Sequence, residues 1–72
     1  MSERTFIMVV STYSSREEAE RIVSLLLDEK LIACATIVDG VTSHFIWQGT
    51  RHVQNETLVL AKTEAFHYRA IE

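Results

Sequence analysis

At 72 residues, with one cysteine and a formal net charge of −3, the chain makes a single small domain with few means of holding itself together. A chain this short buries only roughly 60% of its unfolded surface, and such domains usually add a disulfide, a structural metal or a partner subunit. Cys34 alone excludes an internal disulfide, no CxxC or Cys/His cluster offers a zinc site, and the acidic balance disfavours nucleic acid or an anionic membrane as partner, which leaves self-association.

In chain order, Phe6-Ile7-Met8-Val9-Val10 is an unbroken apolar run that suits a strand covered on both faces. Ser11-Thr12-Tyr13-Ser14-Ser15 supplies loop and cap chemistry, and both Ser14…Glu17 and Ser15…Glu18 fit a capping box. Ala19, Ile22, Val23, Leu26 and Leu27 then recur at helical spacing as one apolar stripe. Arg16/Glu20 and Glu17/Arg21 are i,i+4 pairs, and Lys30 suits the negative end of the helix dipole.

From Ile32 the pattern turns strand-like. Asp39-Gly40 is either a turn between two short strands or a bulge within one long strand. Gln48-Gly49 is the stronger turn signal, and Glu56–Lys62 reads as a further strand. Thr63-Glu64-Ala65 opens a second helix, with Thr63 as its cap.

This order, β-α-β-β-α, predicts an α+β, ferredoxin-like domain spanning residues 1–72, built on a split βαβ unit whose third strand lies between the first two. The final strand of that fold is missing, so the chain reads as a fragment or as one completed by a neighbour. No signal peptide and no apolar run of roughly 20 residues is present, so the expected location is cytoplasmic.

Ala33-Cys34-x-x-Ile37-x-x-Gly40-x-x-Ser43, followed by Trp47-x-Gly49, then Glu56 and Leu60-Ala61-Lys62-Thr63, together resemble the CutA family of divalent-cation tolerance proteins, over about Phe6 to Thr63. The resemblance implies a ferredoxin-like subunit of a homotrimer, whose long second and third strands form a hairpin that pairs with neighbouring subunits. It further implies a non-enzymatic role in tolerance of copper and other divalent cations, with no required cofactor and Cu(II) or another divalent cation as ligand. The alternative it implies is a sensor or interaction scaffold like the PII signalling proteins, binding a small molecule in clefts between subunits. In some family members a cysteine ending the first strand is a proposed copper ligand; Ser11 stands there in this chain. The family's His-Pro-Tyr segment is absent, so no proposed ligand carries over.

His44 and His52 are the remaining metal candidates. With a three-residue Trp47-Gln48-Gly49 loop they face each other across the hairpin; with a two-residue Gln48-Gly49 loop, Phe45 opposes His52 and the pair breaks up. Phe45 and Trp47 either fold back under the helix or anchor a subunit contact, and the second is expected. Cys34, between two alanines, reads as a small buried hydrophobe. Glu56 and Lys62 fall near the two ends of the third strand, and the resemblance suggests that they line the subunit cleft with Trp47. Tyr13 lies just past the first strand, near that cleft. No nucleophile–base pair and no glycine-rich phosphate loop is present, so no catalytic residue is expected.

Overall fold

A computed structural model describes residues 5–64. It contains strand β1 (Phe6–Tyr13), helix α1 (Arg16–Asp28), strand β2 (Cys34–Trp47) and strand β3 (Thr50–Glu64). The strands form one sheet in the order β1-β3-β2, both pairings antiparallel. β3 therefore sits in the middle, where it supplies both ladders. Its 15 residues are more than β1 can cover, because β1 pairs only Thr57–Glu64. Beyond that point β2 and β3 continue as a two-stranded ribbon, which stretches the molecule to 50 × 25 × 17 Å.

Local chemistry sets the helix ends. Ser15 is the N-cap, its hydroxyl accepting from the Glu18 amide at 3.2 Å, and the Ser14 hydroxyl donates to the Glu18 carboxylate at 3.2 Å. Of the two capping frames, Ser15…Glu18 is the one used. At the other end the Leu31 amide reaches the Leu26 carbonyl (2.9 Å) and the Lys30 amide that of Leu27 (3.0 Å), a Schellman closure. Lys30 takes the left-handed position of that closure, φ 59°, where glycine is the common residue.

The core is small: Ala19 and Val23 from α1, Ile32 from the connection, and Val59 and Ala61 from β3, with Tyr13, Leu26, Ala35 and Ile37 packed against them. Ile22 is half-buried, whereas Leu27 falls outside the stripe and is exposed. Thr63 is buried and donates its hydroxyl to the Leu31 carbonyl, fastening the end of β3 to the helix–strand connection.

Three sequence expectations need correction. β1 runs on to Tyr13, because Ser11, Thr12 and Tyr13 find partners in Val59, Leu58 and Thr57. Thr63 and Glu64 belong to β3, where the ladder to Ile7 and Phe6 holds them extended; the second helix expected from Ala65 onward lies outside the described residues. β1 is covered on one face only. α1 shields Ile7, Val9 and Tyr13, while Phe6, Met8 and Val10 on the other face are each more than half exposed.

Candidate functional site

The ribbon carries the aromatic residues and histidines that drew attention in the sequence. Gln48 (φ 52°) and Gly49 (φ 76°) are both left-handed, which closes the hairpin as a two-residue loop with Trp47 paired to Thr50. That register places Phe45 opposite His52 and His44 opposite Val53. Because neighbouring positions on a strand point to opposite faces, His44 and His52 stand on opposite sides of the ribbon and share no ion within one chain. His52 instead stacks on Phe45, ring centroids 5.2 Å apart and planes 14° from parallel. Among the described residues, no three or more His, Cys, Asp or Glu side chains gather as a metal site.

At the root of the ribbon, Val38 pairs with Leu58 and Val41 with Glu56, so Asp39 and Gly40 together oppose Thr57 alone. This is a bulge inside one long strand, with Gly40 left-handed at φ 71°. It has a consequence for facing. Before the bulge, even-numbered residues of β2 look away from the helix; after it, odd-numbered ones do. Cys34, Phe45 and Trp47, of opposite parity, therefore share the helix-free face with Glu56 and Lys62 of β3. Tyr13 does not join them: it lies on the helix side of β1, packed against the core, its hydroxyl accepting from Ser11 at 3.2 Å. Ser11 is on that same side.

The five residues share a face without converging. Glu56 and Lys62 are six positions apart on one strand, roughly 20 Å, which is beyond ion-pair reach. Trp47 lies a similar distance beyond Glu56, at the ribbon tip. Cys34 is exposed, contrary to the buried thiol expected, because Ala35 and Ile37 take the inward positions of β2; Lys62 is its cross-strand neighbour. Phe45 and Trp47 do not fold under the helix: they are 39% and 64% exposed, on a ribbon that projects past it. Ile46 and Val53 are exposed on the ribbon.

Asp39 was read in the sequence only as part of a turn or bulge, yet its side chain ties three elements together there. Its carboxylate accepts from Arg16 at 2.6 Å and from the Thr57 hydroxyl at 3.3 Å. Arg16 also reaches Glu20 at 3.4 Å, and the hydrogen bond to Asp39 is the main cause that holds its guanidinium pKa above the ordinary value. No local motif announces this contact, since Arg16 and Asp39 are 23 positions apart. Their meeting depends on β3 drawing the bulge beside the helix start.

The described residues make a small α+β fold with three antiparallel strands, one helix and an exposed aromatic ribbon. The chain belongs to the CutA1 divalent ion tolerance protein family, whose pattern matches residues 7–72. It is 33% identical over 70 residues to the divalent-cation tolerance protein CutA of Escherichia coli O45:K1, covering 97% of this chain and 62% of that protein. Among solved structures it resembles the divalent cation tolerance protein of Thermus thermophilus, with a TM-score of 0.90 and 36% identity over 93% of this chain and 65% of the other. It also resembles the periplasmic divalent cation tolerance protein CutA of Archaeoglobus fulgidus, with a TM-score of 0.89 and 33% identity over 93% and 65% of the two chains. The chain thus spans less than two thirds of the length of these relatives. No helix among the described residues is long and apolar enough to cross a membrane.

Proposed function

We propose that this chain is the subunit of a cytoplasmic homotrimer that acts in divalent-cation tolerance, copper included, by binding or regulation and without catalysis. On this reading the fold is ferredoxin-like, and the order β1-β3-β2 with α1 on one face supports it. The observation that carries the assembly is the uncovered sheet face. Phe6, Met8, Val10 and Val38 stand exposed there, and the same face runs on into Phe45 and Trp47. An apolar surface this continuous is costly in water, and the five-residue buried core leaves little stability to offset it. Copies of the chain cover it most simply, because each brings the same deficit.

Among the described residues no Cu(II) site fits within one chain: the two ribbon histidines diverge, and two imidazoles alone are an incomplete copper ligand set. Any ion the ribbon holds is therefore held between chains. Native mass spectrometry tests the assembly. A trimer that persists on dilution is expected, and a stable monomer overturns the proposal.

A further inference from the structure

The ribbon has a second face, turned away from the one that carries Phe45 and Trp47. Val41, Ser43, Phe45 and Trp47 of β2 point to the helix-free side, so Thr42, His44 and Ile46 point the other way, opposite Asn55, Val53 and Arg51. On that second face His44, Ile46 and Arg51 line a hollow of about 310 Å³. Phe45 lies between His44 and Ile46 with its ring stacked on His52 across the strands, and it closes the floor.

The chemistry of this hollow is one-sided. Residues 41–55 hold Arg51 and two of the three histidines but none of the ten acidic residues. No carboxylate of a described residue pairs with Arg51, whereas Arg16 is held by both Asp39 and Glu20. The exposed Arg51 guanidinium therefore offers its planar fork of N–H donors outward, and such a fork matches the two oxygens of a carboxylate. His44 stands diagonal to Arg51 across the two strands, within reach of the same bound group. Beside them Ile46, the cross-strand neighbour of Arg51, is 75% exposed and Val53 is 57% exposed. A guanidinium with no counter-charge repels a metal ion and attracts an anion, while the bare isoleucine favours an apolar body. The hollow's 310 Å³ holds roughly ten water molecules, which is room for a carboxylate joined to one ring or one branched chain.

We propose that this hollow binds a small organic acid as its carboxylate. Arg51 grips the carboxylate through both oxygens, His44 donates a ring N–H to it, and the ring or branched chain lies over Ile46. All of these residues belong to one chain, on the ribbon face opposite Trp47, so the site stands independently of the self-association proposed above.

Phenylacetate is the probe, with acetate (charge without the ring) and benzyl alcohol (ring without the charge) as comparators. Two-dimensional amide NMR spectra follow each titration, and native mass spectrometry reads the oligomer in the same samples. Saturable shifts centred on residues 44–53 are expected. Phenylacetate should bind about tenfold more tightly than either comparator, since each of those supplies only one half of the contact. Arg51→Gln weakens phenylacetate binding by about tenfold, and Arg51→Lys by less, because an ammonium keeps the charge and loses the fork. Ile46→Ser brings phenylacetate down to the level of acetate. Both positions are exposed, and unchanged spectra away from the ribbon verify that the variants fold. Phenylacetate binding no tighter than acetate, shifts centred elsewhere, or an Arg51→Gln variant that binds as before overturns the site. Sedimentation with phosphatidylglycerol vesicles, when phenylacetate leaves the ribbon unshifted, makes the patch a membrane contact and overturns it as well. The oligomer mass is read separately, so failure of this site and failure of the assembly are told apart.

Discussion

Lys30→Gly is expected to stabilise the protein, although it removes a side chain and a charge. Lys30 sits at φ 59° in the residue that closes α1, where a Cβ crowds the backbone at a cost of roughly 1–2 kcal/mol. Glycine removes that cost but makes the unfolded chain freer, which returns roughly 0.5–1 kcal/mol. The net gain from geometry is about 0.5–1 kcal/mol. Loss of a cation near the helix C-terminus works the other way by a few tenths, roughly 0.3 kcal/mol at this exposed site. Lys30→Ala separates the two effects, since it loses the charge and keeps the Cβ. The quantity to measure is the difference between the glycine and alanine variants, expected at about 0.5–1 kcal/mol, or roughly 2–8 °C in Tm for a domain of this size. Urea unfolding followed by far-UV circular dichroism reads it, at one protein concentration so that association does not alter the comparison. An alanine variant as stable as the glycine variant would refute the reasoning, because the left-handed closure would then carry no strain.

Gly40→Ala makes the converse test at the bulge. Nothing lies within 4 Å of a Cβ built there, so the expected loss of about 1–2 kcal/mol is backbone strain alone, and Gly40→Asn should lose less in the same urea titration. Thr63→Val keeps the shape of a side chain only 1% exposed but leaves the Leu31 carbonyl without its donor. A loss of roughly 1–3 kcal/mol in thermal or urea unfolding is expected, and no loss would mean that water satisfies that carbonyl. For copper, calorimetric titration should show any binding through these histidines only in the assembled protein, lost both in a His44→Ala/His52→Ala variant and in a variant that no longer assembles. Binding by isolated monomers that the double substitution abolishes would contradict the diverging geometry.

The hairpin shows where sequence reasoning reaches its limit. Gln48-Gly49 marked the turn, but the fate of His44 and His52 hung on whether the loop held two residues or three. That choice is one of register, and a single step moves every side chain to the other face. The same holds at Asp39-Gly40. Either a turn or a bulge fits the residues, and the bulge alone brings Cys34 to the face of Phe45 and Trp47. Cys34 was misread because its small apolar neighbours suggest burial. Inward and outward positions on β2 are set by which residues meet α1, and Ala35 and Ile37 do.

Local chemistry was enough to determine the helix and its start within Ser14-Ser15, the turn at Gln48-Gly49, and the family through its spaced motif. Each depends on residues within a few positions of one another. The tertiary structure alone decided that β1 is bare on one face, that the ribbon histidines diverge, that Thr63 anchors a strand, and that Arg16, Asp39 and Thr57 meet. Those outcomes depend on β3 lying between β1 and β2, and thus on contacts between residues far apart in the chain.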